Sequence, residues 1–108
     1  MENLIELREA LRKFAAERDW PQYHTPKNLA MALIVEAAEL VEQFQWMTPA
    51  QSMSLSAEQH EAVRDEVADT LIYLVELADV LNIDLIAAAR DKMIKNAIKY
   101  PAPATSSK

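Results

Sequence analysis

The feature that most constrains this chain is the complete absence of glycine. Glycine adopts positive φ at little cost, so Gly-rich phosphate loops, nucleophile elbows and Rossmann turns depend on it. Its absence excludes those sites. Few stretches alternate apolar and polar residues as strands do, whereas apolar residues recur at helical spacing along most of the chain. We therefore predict an all-α fold.

Apolar periodicity and cap residues predict a four-helix bundle. Thr25 followed by Pro26 is typical of an N-cap with proline at the first helical position. Ser56 with Gln59 three residues later predicts a capping box, and Pro101 ends the last helix. The predicted helices cover about residues 2–18, 26–46, 57–81 and 84–99, and Asn82 marks the end of the third.

Length and composition narrow the class of protein. A chain of 108 residues forms one domain, predicted here over residues 1–100, and is small enough that oligomerisation would help its core. The low-complexity segment 101–108 is predicted to be a disordered tail. Without cysteine, a metal would need oxygen or imidazole ligands. No apolar run is long enough for a membrane span and no signal pattern is visible, so we expect a cytoplasmic protein.

The net charge of -6 argues against binding to a nucleic acid polymer, because that affinity comes from many Lys and Arg residues. A small phosphorylated ligand remains possible if a metal ion bridges its charge to the protein's.

Acidic residues form two matched pairs on consecutive predicted helices. Glu36 and Glu39 are three residues apart on the second helix, and Glu66 and Asp69 repeat that spacing on the third. Residues three apart share a helix face, and each pair borders its helix's apolar stripe, so both are expected at the bundle seam. Four carboxylates there could not all stay ionised without compensation, which Mg²⁺ or Mn²⁺ would supply. The alternative is that both pairs are solvated helix surface.

Aromatic and cationic residues add candidates for a nucleotide site. Tyr73 follows Asp69 by one turn on the same face, and the lysines and Asn96 of the fourth helix form a cationic strip. That strip could neutralise phosphates or simply complement the helix dipole. Further aromatic and imidazole side chains lie at element ends, where a base could stack, or where they could merely pack at the rim: Trp20, Tyr23, His24 and Trp46.

Four ordered motifs resemble the MazG-like all-α nucleoside triphosphate pyrophosphohydrolases, and in particular their dCTP pyrophosphatase branch. The motifs are Ala-Ala-Glu-Arg-Asp-Trp-x-Gln-Tyr-His-x-Pro-Lys-Asn-Leu at 15–29, Glu-x-x-Glu-Leu-x-Glu-x-Phe-Gln-Trp at 36–46, Glu-x-x-Asp-x-Leu-Ile-Tyr-Leu at 66–74, and Lys-Met-x-x-Asn-x-x-Lys-Tyr-Pro at 92–101. The wider family motif begins with two adjacent glutamates, and Val35 stands at the first of these two positions here. The dCTP pyrophosphatase branch also lacks that first glutamate.

The resemblance implies a role for each matched residue. Glu36, Glu39, Glu66 and Asp69 would bind Mg²⁺, and Glu36 or Glu39 would position or deprotonate the attacking water. The implied base and sugar pocket consists of Trp20, His24, Asn28, Trp46 and Tyr73. The implied phosphate-binding residues are Lys92, Asn96, Lys99 and Tyr100.

The resemblance further implies hydrolysis of a nucleoside triphosphate, dCTP or a modified pyrimidine deoxynucleotide, to monophosphate and pyrophosphate, as in control or house-cleaning of the nucleotide pool. Assembly into dimers, or tetramers made of two dimers, is expected, with Lys92 to Tyr100 completing a neighbour's site. Two alternatives stay open. One is a related enzyme acting on dUTP, another non-canonical nucleotide or phosphoribosyl-ATP, and the other is a non-enzymatic helical oligomerisation module.

Overall fold

The computed structural model describes residues 1–104, and every regular element in that range is helical, which confirms the all-α prediction. A single 3-10 turn at Pro21–Tyr23 follows the first helix. The α-helices are α1 (Leu4–Glu17), α2 (Pro26–Glu42), α3 (Pro49–Ser52), α4 (Ala57–Val80) and α5 (Leu85–Lys99).

Side-chain caps fix where the two central helices begin. The Thr25 hydroxyl accepts a hydrogen bond from the backbone N–H of Asn28 at 3.2 Å. At α4, the Ser56 hydroxyl accepts from the Gln59 N–H at 3.1 Å, while the Gln59 side chain accepts from the Ser56 N–H at 2.9 Å. Both predicted starts are therefore confirmed, and each satisfies N–H groups that a helix start otherwise leaves unpaired.

The predicted end of the second helix was wrong by four residues, because α2 stops at Glu42 rather than Trp46. From Gln43 onward the backbone tightens: the N–H of Gln43 donates to the Leu40 carbonyl at 3.2 Å. Such three-residue bonds are common where an α-helix ends. The predicted connector also contains the one-turn helix α3, capped by Thr48 and Gln51.

Two residues take the left-handed conformation that glycine usually supplies. Asp19 has φ of 57° after α1, and Asn82 has φ of 55° after α4. Aspartate and asparagine tolerate this region better than other non-glycine residues. A chain without glycine can therefore still turn sharply after two of its long helices.

Helix α4 is the centre of the fold, because α2 and α1 both pack against it. The fully buried core is small, and Leu29 is its largest member with 2% of its surface exposed. Arg12 ties α1 to α4 through its Nε, which donates to Asp79 Oδ2 at 2.8 Å, and through its Nη2. The remaining buried apolar residues are Ala15, Val75 and Ala78.

Helix α5 stands away from this packed unit. None of its residues is buried, and Met93 and Ile98 are 71% and 78% exposed. The described chain measures 60 × 36 × 27 Å, which is elongated for its length. Within one chain, α5 therefore does not close the bundle, and its apolar residues are left uncovered.

Residues 101–104 contain no helix or strand, and the rest of the predicted tail, 105–108, lies outside the described residues. Within residues 1–104, each helix is too short or too polar to span a bilayer.

Candidate functional site

The structure brings three of the four predicted carboxylates together at the seam between α2 and α4. Glu36 and Glu39 project from α2 and Glu66 from α4, and each offers one carboxylate oxygen within 4.8 Å of the others. All three side chains are half-buried. Because α2 packs mainly on α4, Glu66 on α4 lies opposite Glu36 and Glu39 on α2.

The electrostatics of this cluster fit a divalent cation. The Oε2 atoms of Glu36 and Glu66 are buried, and neither has a hydrogen-bond partner among the described residues. Burial, and after it the adjacent Glu39, raises the pKa of Glu36 to about 7. The pKa of Glu66 is also raised, mainly by burial and then by Glu39. Buried carboxylate oxygens without donors are costly, and a hard cation with oxygen ligands would satisfy them.

Asp69 lies at the rim of the cluster rather than inside it. Its side chain is exposed, and it is not among the three carboxylates that approach within 4.8 Å. Its charge nevertheless contributes to the raised pKa values of both Glu36 and Glu66, so it is close to them. Its position is open to a ligand that enters from solvent.

Tyr73 connects the carboxylate cluster to a second polar group. Burial raises the pKa of its phenol, and the charges of Glu76, Glu36 and Asp69 add to that shift. One turn further along α4, Glu76 Oε2 lies 3.4 Å from Nδ1 of His24, which follows the 3-10 turn. Tyr73 is therefore close to the carboxylate cluster and to Glu76, which in turn contacts His24.

The predicted aromatic residues are only partly assembled. The Trp20 ring packs edge-on to Phe14 with centroids 5.6 Å apart, and 6.5 Å separates it from the His24 ring. Trp46 is 89% exposed in the turn after α2 and has no ring contact with another described aromatic residue. Asn28 donates its side-chain N–H to the Tyr23 carbonyl at 3.0 Å, which fixes the loop before α2.

The predicted phosphate-binding residues are on α5 and at its end, apart from the carboxylate cluster in a single chain. Lys92, Asn96, Lys99 and Tyr100 are all exposed. The Lys99 ammonium lies 5.2 Å from the centre of the Tyr100 ring. Because α5 makes no extensive contact with α2 or α4, these residues do not join the glutamates within one chain.

Glu76 is a candidate that the sequence reasoning missed. A signal for it was present, since it follows Tyr73 by three residues and Asp69 by seven, and so continues the same helix face. The sequence does not show that His24, from a different part of the chain, approaches Glu76.

Comparisons with known proteins confirm the family that the sequence motifs indicate. A model of the MazG-like family matches residues 31–108. dCTP pyrophosphatase 1 from Homo sapiens is 44% identical over 101 residues, which is 92% of this chain and 59% of that protein. dCTP pyrophosphatase 1 from Rattus norvegicus is 42% identical over 91% of this chain, again covering 59% of that protein. The chain thus spans 59% of the length of these curated relatives.

A solved structure is similar over nearly its whole length. A pyrophosphatase from Archaeoglobus fulgidus superposes with a TM-score of 0.87 and is 43% identical, with 94% of this chain and 95% of that chain covered. Because the family model matches most of the sequence and the relatives exceed 40% identity, this chain belongs to the MazG-like family.

Proposed function

We propose that the protein is a metal-dependent pyrophosphohydrolase that converts a deoxynucleoside triphosphate, dCTP or a modified pyrimidine analogue, to the monophosphate and pyrophosphate. The observation that supports this most strongly is the cluster of Glu36, Glu39 and Glu66, each of which offers a carboxylate oxygen within 4.8 Å of the others. The Oε2 atoms of Glu36 and Glu66 are buried and have no hydrogen-bond partner among the described residues. The substrate class is supported by the relatives named dCTP pyrophosphatase 1. In the cell this activity would serve control or house-cleaning of the nucleotide pool.

Mg²⁺ is the proposed cofactor, and Mn²⁺ is expected to substitute for it. Glu36, Glu39 and Glu66 would hold the cation, with Asp69 contributing from the solvent side. All-oxygen ligands suit both ions. When bound, such a cation neutralises triphosphate charge and activates water for attack at phosphorus.

The chain's own residues supply orientation and proton handling. Glu36 or Glu39 would hold the water by a hydrogen bond and accept its proton as the general base. Tyr73 lies beside the cluster, where it would contact the sugar. Trp20 and His24 would contact the base. Trp46 and Asn28 would also belong to the base and sugar pocket.

The phosphate end of the site would be completed by a second copy of the chain. Lys92 and Asn96, with Lys99 and Tyr100, are on or directly after the helix that stands away from its own bundle. Cations on such a helix would stabilise charge that develops on phosphate oxygens of a neighbour's ligand. The proposed assembly is a homodimer or a tetramer built from two dimers. A cytoplasmic location stays a prediction.

A nucleotide panel tests this function. The protein is incubated with canonical and modified nucleoside triphosphates in Mg²⁺ or in EDTA, and the products are separated. We expect monophosphate plus pyrophosphate in Mg²⁺, with dCTP among the best substrates, and no turnover in EDTA. Diphosphate plus orthophosphate would place cleavage at the γ-phosphate and contradict the proposal. Absence of any turnover, together with no Mg²⁺ binding by calorimetry, would favour a non-enzymatic helical module.

A further inference from the structure

A second polar site lies between α1 and α4, beyond the carboxylate cluster. A cavity of about 160 Å³ opens there, and most of its wall is apolar, formed by Leu11, Ala15, Val75 and Val80. Two carboxylates also line it, Glu76 and Asp79, together with His24. Arg8 and Arg12 complete its polar lining. Ligand sites are typically concave and mostly apolar, with a few placed polar groups.

The two carboxylates of this cavity are in different states. Both oxygens of Asp79 accept hydrogen bonds from the Arg12 guanidinium, so Asp79 is already neutralised and saturated. Glu76 has only the His24 contact at 3.4 Å, and its buried Oε2 has no hydrogen-bond partner among residues 1–104. Its side chain is 16% exposed. Glu76 therefore lines the cavity with a carboxyl group whose one close polar partner among residues 1–104 is His24.

The carboxylate cluster at the seam does not account for Glu76. Glu76 follows Asp69 by seven residues on α4, which is about 10 Å along a helix axis. It is not among the carboxylates that converge at the seam. That offset is comparable to the length of a nucleoside, and Tyr73 lies between the two sites, within the electrostatic influence of both. A triphosphate held at the glutamates would therefore place its base near Glu76.

We propose that Glu76 is a specificity-determining residue that accepts a hydrogen bond from the exocyclic amino group of an aminopyrimidine base, so that cytosine nucleotides are preferred over uracil nucleotides. This inference rests on the proposed function. Carboxylates accept hydrogen bonds from the N4 amino group of cytosine. Uracil presents a carbonyl oxygen at the same position, and two acceptors facing each other in a cavity are unfavourable.

Substitution of Glu76 tests the assignment through the ratio of kcat/KM for dCTP to that for dUTP. For Glu76→Gln, whose amide can also donate, we expect the ratio to fall by about 10-fold or more, because one good base contact contributes discrimination of this size. Glu76→Ala should lose activity on dCTP without gaining activity on dUTP. Glu61→Gln is the matched control, since Glu61 is exposed on the same helix and, among residues 1–104, its ion pair is with Arg64 at 3.8 Å. Its ratio should equal that of the unmodified protein.

The outcomes separate this inference from the function on which it depends. A wild-type protein that hydrolyses dCTP, combined with an unchanged ratio in Glu76→Gln, contradicts the role of Glu76 alone. An equal loss on both nucleotides in both variants indicates a structural role and also contradicts it. A wild-type protein that hydrolyses neither nucleotide contradicts the proposed function and the inference together. Melting temperatures of all three variants show whether each is folded.

Discussion

Glu36 shows most directly how a single residue couples the fold to the proposed cation. Its pKa is raised from 4.5 to about 7 by burial and then by Glu39. A carboxyl group with a raised folded-state pKa favours the folded state while it is protonated. That contribution is fully present below pH 4.5 and is lost as the pH rises through about 7. A cation bound by the ionised cluster would reverse this loss.

The first prediction concerns stability in the absence of metal. In EDTA, the melting temperature of the wild type should fall relative to that of Glu36→Gln between about pH 5 and about pH 8, because only the wild type carries this ionisation. Thermal unfolding followed by circular dichroism measures both. At about pH 8, Mg²⁺ at a hundred times its dissociation constant should stabilise the wild type by about 2.7 kcal/mol, and the variant less at the same concentration. Parallel pH profiles with equal responses to Mg²⁺ would be the contrary result.

The second prediction concerns turnover. Glu39→Ala and Asp69→Ala should each lower kcat/KM by about 100-fold or more, because cation stabilisation of the transition state amounts to several kcal/mol. Both variants should remain folded oligomers. Asp65→Ala is the control, since Asp65 is an exposed carboxylate on α4, the helix that carries Asp69. Activity retained in either test variant would remove that residue from the metal-ligand assignment.

At the level of elements, local chemistry predicted the helix starts better than the helix ends. The Thr25 and Ser56 side chains each cap the N–H group three residues further along, so the sequence alone located the starts of α2 and α4. The end of α2 at Glu42 has no glycine or adjacent proline to mark it. Cap residues Asn3 and Thr48 follow the same rule as Ser56 and could have been found in the same way.

The third prediction compares the two capping boxes. Ser56→Ala should lower the free energy of unfolding by about 1 kcal/mol, a usual value for loss of an N-cap. Thr48→Ala should cost less, because Thr48 caps the single turn α3, whereas Ser56 begins α4, on which α1 and α2 both pack. Urea unfolding of the two variants gives the comparison. An equal or larger loss for Thr48→Ala would mean that α3 contributes more to the fold than its one turn suggests.

For the whole molecule, the position of α5 is what the sequence could not provide. The periodicity predicted a helix over 84–99, and α5 spans Leu85–Lys99. Nothing in that periodicity tells whether its apolar residues pack within the chain or on another chain. The same limit applies to the site. Matched spacing on two helices predicted that Glu36, Glu39 and Glu66 lie close together. The contact between His24 and Glu76 depends on the path of the loop, which spacing does not predict.

The fourth prediction concerns assembly. Met93, Ile94 and Ile98 on α5 are each at least 60% exposed, and apolar side chains exposed together on one helix favour an interaction site. We expect the wild type to sediment as a dimer or a tetramer. Ile98→Asp should shift it toward smaller species and reduce turnover, because a charge there would be desolvated at the contact. Asp91→Asn serves as the control on the same helix. A wild-type protein that sediments as a monomer would remove the proposed neighbour's contribution to the site.

The two left-handed residues, Asp19 and Asn82, also bear on the unfolded chain. Every residue here carries at least a Cβ, so the denatured chain samples fewer backbone conformations than one with glycines. Each glycine avoided at a compatible position favours the folded state by about 0.4 to 1 kcal/mol. At Asn82, with φ of 55°, glycine would relieve local strain but enlarge the denatured ensemble, so the two effects oppose each other. Part of this protein's stability therefore comes from the restricted conformational freedom of its unfolded chain. A count of native contacts does not include that contribution.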